Sequence, residues 1–183
     1  MNRVRFLLPS FLVCVLMTGA GAAPQSSAPL TGAFDPETVL ANLEVTVQER
    51  DWRRYGDFLA EDFHFIPFDS VPLEHPPVEW DEWGRAREIG FVQELVSPSH
   101  KATLALLDNV LDRGSESYDR SEWDLVYTLT TRGQVFRSRA VFLFTRIKGL
   151  WYLKEWTDTT IETDKETGSA FPTSGSLRGT LTR

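Results

Sequence analysis

The stretch QVFRSRAVFLFTRIKGLWYLKEWTDTT, residues 134–160, decides the fold of this 183-residue chain. Apolar and polar residues alternate along much of it, which is typical of β-strands that bury one face. The Lys-Gly pair at 148–149 divides the stretch into two strands and suits a two-residue hairpin turn. An Arg-Gly pair at 132–133 predicts a second turn of the same kind, preceded by a strand over 122–132. The sequence therefore predicts an antiparallel meander of three long strands.

The lengths of the two turns decide which residues face each other across the meander. If each turn has two residues, Trp123 lies opposite Phe142, and Phe142 lies opposite Glu155. This register places most of the large aromatic side chains on one face, which we expect to pack under helices. The expected inner face comprises Trp123, Leu125, Tyr127, Leu129, Phe136, Ser138, Ala140, Phe142, Phe144, Trp151, Leu153, Glu155, Thr157 and Thr159.

Three helices and a short strand are predicted before the meander. Asp35 and Asp51 are the expected N-caps of the first two helices, and a third helix runs over 81–96. A short strand at 63–68 and a longer one at 101–112 complete the sheet. The second helix is expected to have an apolar face made of Trp52, Tyr55, Phe58, Leu59 and Phe63.

The two ends of the chain differ in composition from its middle. Residues 1–22 combine Arg3 and Arg5 with an apolar run and small residues, which predicts a cleavable signal peptide. An uncleaved anchor is the alternative, but the run is shorter than the ~20 residues that a membrane helix needs. Residues 23–33 are predicted to be a flexible linker, and residues 161–183, rich in Thr, Ser and Gly, a disordered tail. We therefore expect a secreted or periplasmic protein without stable membrane insertion.

The cysteine content, the net charge and the histidine spacing limit the chemistry that this chain can perform. Cys14 is the only cysteine and lies in the predicted signal peptide, so the mature chain is expected to have no disulfide. Lipidation of Cys14 is an alternative, although Val13 is bulky where a lipidation motif needs a small residue. The net charge of −7 disfavours nucleic-acid binding and suits solubility or cationic partners. His64, His75 and His100 have no metal-ligand spacing, and no phosphate-binding glycine loop occurs, so neither metal nor cofactor is predicted.

The order of three helices, a short strand and a long meander resembles the NTF2-like superfamily, also called SnoaL-like or cystatin-like α+β. The segments that carry the resemblance are ERDW at 49–52, LAEDF at 59–63 and GLWYLKEWTD at 149–158. It covers residues 34–160, the predicted domain, and implies a cone in which a curved, mostly antiparallel sheet wraps around the helices and leaves a pocket. Exported bacterial members without an assigned activity are similar. Enzymes and binding domains share this fold, so the resemblance implies no particular activity.

Polar side chains on the expected inner face are the first candidates for a pocket wall. Glu155 lies opposite Phe142, where an unpaired carboxylate would be costly to bury. Tyr127, Ser138 and Thr159 form a polar row across the three strands. Alternatively, Glu155 reaches solvent at the rim or pairs with an arginine of the second helix.

Three further pocket candidates lie before the meander. His64 follows Asp62 by two residues, and such a pair suits proton transfer, although a structural histidine is the alternative. Trp80 stands beside a proline-rich loop and suits stacking on a flat ligand, whereas packing explains Trp83 equally well. Tyr55 of the second helix is included in the predicted pocket.

The opposite face of the meander is the candidate dimer face. Arg139 is expected opposite Asp158, and an apolar centre with a charged pair fits a subunit interface. The resemblance also implies dimers through this face, while a half-covered sheet with a weak salt bridge is the alternative. The predicted members are Arg139, Val141, Leu143, Tyr152, Trp156 and Asp158.

Together these features predict an exported domain that binds a small apolar or amphipathic ligand, or a protein partner, in or near the cone pocket. One alternative is an enzyme that uses Glu155, His64 or Tyr127 for isomerisation, dehydration or hydrolysis. Another is an envelope-associated dimeric interaction module. A filled cone would disfavour the enzyme, and a hollow cone containing Glu155 or His64 would favour it.

Overall fold

Two-residue turns at 132–133 and 148–149 join three long strands, as predicted. Arg132, Gly133, Lys148 and Gly149 all have positive φ, the turn conformation that matches the twist of a hairpin. The computed structural model describes residues 32–98 and 101–181. Its strands are β1 Leu59–Ile66, β2 Ala102–Ala105, β3 Val110–Asp112, β4 Arg120–Thr131, β5 Gln134–Ile147 and β6 Leu150–Ile161. Its α-helices are α1 Pro36–Glu49, α2 Trp52–Tyr55, α3 Val71–Glu74, α4 Arg85–Leu95 and α5 Ser174–Leu181.

The strands form one mixed, mostly antiparallel sheet in the order β1-β6-β5-β4-β2, and β3 also pairs with β4. Only β1 and β6 run parallel. α1 and α4 pack on the inner face of this curved sheet, and their buried apolar side chains join its aromatic residues in one core. This is the predicted α+β cone.

Local capping agrees with the sequence at both predicted helix starts. The Asp35 carboxylate accepts a hydrogen bond from the Thr38 amide at 2.6 Å, and Asp51 accepts one from the Arg54 amide at 3.2 Å. The predicted length of the second helix is wrong, because β1 already begins at Leu59. The predicted strand over 101–112 is interrupted by a 3-10 turn at 107–109.

The register of β6 departs from the prediction partway along the strand. The β4–β5 register is confirmed, and Leu153 faces inward opposite Phe144 as expected. An irregularity between Leu143 and Phe144 then leaves Lys154 as an extra residue of β6. Phe142 consequently lies opposite Trp156 instead of Glu155. A bulge of this kind turns every following side chain to the other face.

The C-terminal tail over 161–181 contains regular structure, contrary to the prediction of disorder. Thr163 pairs with Ala170, and the chain then returns to the cone as α5. Arg178 of this helix is buried. Residues 1–31, 99–100 and 182–183 are outside the described part, so the signal peptide and most of the linker stay predictions. Within the described ranges, no helix is long and apolar enough to cross a membrane.

Candidate functional site

An ion pair between Arg178 and Glu88 occupies the interior of the cone. Arg178 Nε donates to Glu88 Oε2 at 2.9 Å, and its Nη2 donates to Oε1 at 2.6 Å. The side chains are 1% and 0% exposed, so neither charge is solvated. Two parallel bonds from a planar guanidinium to a carboxylate are the strongest ion-pair geometry that proteins use.

Two side chains of the cone body hold Glu88 in position. Trp83 Nε1 donates to Glu88 Oε2 at 2.9 Å, and the Tyr55 hydroxyl donates to Oε1 at 3.3 Å. Glu88 lies on the buried face of α4 with Phe91 and Val92. Trp83 stacks on Trp80 in the turn just before α4, with ring centroids 5.1 Å apart. Helix and turn therefore fix the carboxylate from two directions.

Aromatic rings surround the guanidinium of Arg178. Its Cζ lies 4.0 Å from the ring centroid of Phe65, 4.6 Å from that of Phe91 and 4.7 Å from that of Trp156. Such faces attract a cation, and the attraction grows when water is excluded. The interior thus combines an acid with flat apolar walls.

A second acid, Asp158, lies on the inner face of β6 and is linked to the same arginine. The Tyr127 hydroxyl lies 2.8 Å from Asp158 Oδ1 and 2.6 Å from the Ser174 hydroxyl, and Trp156 Nε1 donates to Oδ1 at 3.0 Å. Arg178 Nη1 donates to Ser174 Oγ at 2.5 Å. Ser174 therefore connects the guanidinium to the tyrosine–aspartate pair.

Burial shifts the titration of this cluster. It raises the pKa of Asp158 to about 6, although Arg178 and Tyr127 act in the opposite direction. It also raises the pKa values of Tyr55 and Tyr127 well above their usual value, so both phenols stay protonated. For Arg178, burial lowers the pKa, but the Glu88 carboxylate together with Tyr127 and Tyr55 raises it above its ordinary value, and the guanidinium stays charged.

The interior has almost no free volume while α5 is docked. The cavity bounded by Tyr55, Glu88, Trp156 and Arg178 measures about 10 Å³. This is about the volume that a single water molecule needs. With Arg178 in place, this cavity has no room for a ligand larger than water.

Three predicted pocket residues belong to this interior. Tyr55 and Tyr127 contact the two acids, and Ser138 is buried beside Tyr127 in the predicted cross-strand pair. Trp80 is 7% exposed and, with His64, lines a separate surface cleft of about 290 Å³. The cleft lies outside the ion-pair cluster.

The predicted positions of Glu155 and Thr159 are wrong. The bulge at Lys154 turns Glu155 away from the interior. On the outer side, its carboxylate accepts a hydrogen bond from the Thr157 hydroxyl at 3.0 Å. Thr159 is exposed at a second irregularity and donates to the Arg139 carbonyl. The expected Asp62–His64 pair is not formed either, because Asp62 pairs with Lys154 at 2.8 Å.

Two of the residues predicted for the candidate dimer face do not lie on that face. Trp156 and Asp158 lie inside the cone, 2% and 4% exposed, because of the same bulge. Arg139 pairs with Asp124 instead of Asp158. Val141, Leu143 and Tyr152 are only partly buried in the structure.

Sequence reasoning missed the two residues at the centre of the site. Glu88 had a usable signal, because it shares the helical spacing of Phe91, Val92 and Leu95 on one face of α4. A glutamate on such a stripe must have a buried partner. Arg178 had no comparable signal within a Gly- and Ser-rich tail.

Comparison with known proteins identifies the fold. Neither the family models nor the curated proteins gave a match to this sequence. Solved structures do match, and the chain has the NTF2-like fold. An NTF2-like protein of unknown function from Shewanella oneidensis aligns with 67% of this chain and 94% of its own, at 11% identity and TM-score 0.51. A candidate scytalone dehydratase from Novosphingobium aromaticivorans aligns with 74% and 89%, at 12% identity and TM-score 0.52.

A third match is a candidate association domain of calcium/calmodulin-dependent protein kinase type II from Thiobacillus denitrificans. It aligns with 74% of this chain and 100% of its own, at 13% identity and TM-score 0.51. Identities this low establish a shared fold and no shared activity. Among the residues that the structure describes, no three His, Cys, Asp or Glu side chains are grouped to hold a metal ion. His100 is outside those residues.

Proposed function

We propose that this protein is an exported ligand-binding domain whose interior site is closed by its own C-terminal helix until a ligand displaces it. The observation that carries the proposal is Arg178, buried at the centre of the cone in the position that a ligand would occupy. The signal-peptide pattern of residues 1–22 supports export. If this part of the proposal is right, the chain recovered outside the cytoplasm should have the mass of a protein that lacks residues 1–22.

The composition of α5 favours reversible docking. Leu177 is its only residue in the buried apolar core of the described chain, and Gly175 and Gly179 each reduce helix propensity by about 0.8–1.0 kcal/mol. The Arg178–Glu88 pair contributes little net stability, because desolvating two charges offsets most of their attraction. The docked helix is thus held by specific geometry more than by a large apolar contact.

Hydrogen exchange tests whether α5 opens on its own. We expect α5 amides to exchange roughly tenfold or more faster than the central amides of β5, because local opening needs less free energy than global unfolding. Exchange of α5 as slow as that of β5 would show that the helix is a permanent part of the core. That result would contradict the proposal.

A proton-transfer enzyme is a second candidate function, although the filled interior disfavours it unless α5 withdraws. Its support is the pair of Tyr127 and Asp158 in the interior, the acid having its pKa raised by burial to about 6. The structural match described as a candidate scytalone dehydratase suggests dehydration as a reaction to test. Dehydration of scytalone that is lost in Asp158→Asn would support it, and equal turnover in the wild type and this variant would contradict it.

A further inference from the structure

We infer that the interior site recognises a guanidinium group and that its ligand is a guanidinium-bearing cation that takes the place of Arg178. This inference rests on the proposed function, because the ligand can enter only when α5 withdraws. The side chain of Arg178 itself shows the chemistry that the site accepts. Four features of the cone body support this ligand class.

The first feature is the match between Glu88 and a planar, forked cation. Its two oxygens accept from Nε and Nη2 of Arg178 at 2.9 and 2.6 Å. A guanidinium presents two parallel N–H groups at the spacing of the carboxylate oxygens, whereas an ammonium is a compact point charge. The site should therefore prefer guanidinium to ammonium.

The second feature is that the acid is held by residues outside α5. Trp83 and Tyr55 donate to Glu88 from the turn before α4 and from α2. Withdrawal of α5 therefore leaves these two donors in place on the carboxylate. A preorganised group loses less entropy on binding, and a buried acid that has lost its cation favours a replacement.

The third feature is the shape of the walls. Phe65, Phe91 and Trp156 place their rings within 4.7 Å of the guanidinium carbon. None of the three belongs to α5, so an incoming cation meets the same aromatic surfaces. A flat, weakly hydrated cation suits such walls better than a compact hydrated one.

The fourth feature is a pair of groups that compensates for the loss of α5. Nη1 of Arg178 donates to Ser174, which leaves together with the helix. The Tyr127 hydroxyl already contacts Ser174 Oγ at 2.6 Å, and Asp158 lies directly behind it. These two residues of the body offer acceptors for the third nitrogen of an external guanidinium once Ser174 has left.

Chemical rescue of Arg178→Ala tests the inference in the full chain. Ethylguanidinium should raise the Tm of this variant by about 5–10 °C at a hundredfold excess over its Kd. Ethylurea, which has a similar shape without the charge, and ethylammonium should not. Rescue should disappear in the double variant Glu88→Gln, Arg178→Ala. Equal effects of ethylurea and ethylguanidinium, or undiminished rescue in the double variant, would overturn the inference.

A measurement on the native chain covers the case in which Arg178→Ala does not fold. Agmatine represents a free metabolite, and a short arginine-containing peptide represents a protein partner. Either compound should accelerate hydrogen exchange in α5 while β5 is unchanged, and the more effective one identifies the source of the ligand. If α5 opens readily but neither compound accelerates it, the guanidinium inference fails and the proposed function survives. If α5 exchanges only through global unfolding, the proposed function fails as well.

Discussion

At the residue scale, the Arg178–Glu88 pair shows why a buried charge must be judged together with its partners. Each side chain alone would leave an uncompensated charge in a site shielded from solvent. Together they satisfy two hydrogen bonds, and Trp83 and Tyr55 satisfy the remaining capacity of the carboxylate. The pair specifies one position for α5 without adding much net stability.

Glu88→Gln should therefore be far more damaging than the removal of both charges. The single variant removes the carboxylate that pairs directly with the buried Arg178, and we expect it to lower the free energy of unfolding by about 3–5 kcal/mol. Adding Arg178→Met should recover most of that loss, because the glutamine oxygen still accepts from Trp83 and the glutamine amide can donate to the Tyr55 hydroxyl. Urea unfolding of the wild type and both variants measures this. A double variant as unstable as the single one would show that the pair is not the cause.

Asp158 should make stability depend on pH in a defined direction. Its pKa in the folded protein is about 6, above the ordinary value of 3.8, so folding favours its protonated form. Its stabilising contribution is complete below about pH 4 and is lost as the pH rises through 6. The difference in unfolding free energy between the wild type and Asp158→Asn should fall by on the order of 3 kcal/mol from pH 4 to 7. A difference that stays constant over this range would contradict the assignment.

At the element scale, β6 separates what the sequence could predict from what it could not. The β4–β5 register followed from strict alternation and two-residue turns, and the first half of β6 followed the same rule. The Lys154-Glu155 pair breaks the rule, because both polar side chains avoid the interior by means of a bulge. The need to bury Trp156 was the one sequence signal that pointed to the bulge. The alternation pattern outweighed this signal, because the bulge also buries Asp158, a residue that the pattern assigns to solvent.

The C-terminal helix α5 could not be predicted from local pattern at all. Its buried residues are mainly polar or small, and its principal partner, Glu88, is 90 residues away in sequence. Composition therefore indicated disorder. The acid that pairs with this segment becomes evident only from its three-dimensional position inside the cone.

Gly179 is where α5 approaches the cone body most tightly, and a methyl group there should dislodge the helix. A Cβ at this position would lie 2.5 Å from Cγ of His75 and 2.9 Å from its Nδ1. We expect Gly179→Ala to cost about 1–3 kcal/mol, as overpacked sites do, and to speed hydrogen exchange in α5. Exchange in β5 should change only with global stability.

Gly90→Ala is the matched control for this substitution. Gly90 also lies within a helix, α4, but an added Cβ would meet no atom within 4 Å. The control should gain about 0.5–1 kcal/mol from helix propensity and leave exchange in α5 unchanged. If both glycine variants behave alike, close packing of α5 against His75 is not what holds it.

At the scale of the whole molecule, the cone body supplies nearly all of the buried apolar core, and α5 adds Leu177 to it. α1 buries Val39, Leu40 and Leu43 against the sheet, far along the chain from α5. Each such side chain contributes roughly 1.5–3 kcal/mol on burial. Most of the buried apolar core therefore belongs to the cone body, and the proposed function requires this body to stay folded when α5 undocks.

We predict a homodimer whose interface covers Val141, Leu143 and Tyr152 on the outer face of the sheet. Their partial burial leaves apolar surface on the face opposite the closed site, so dimerisation and ligand entry do not compete. Leu143→Lys should shift the dimer to monomer in sedimentation velocity, because the charge would be buried at the centre of the interface. Val135→Lys is the control, since Val135 is 38% exposed near the 132–133 turn and should leave association unchanged. A wild-type protein that sediments as a monomer at micromolar concentration would rule this dimer out.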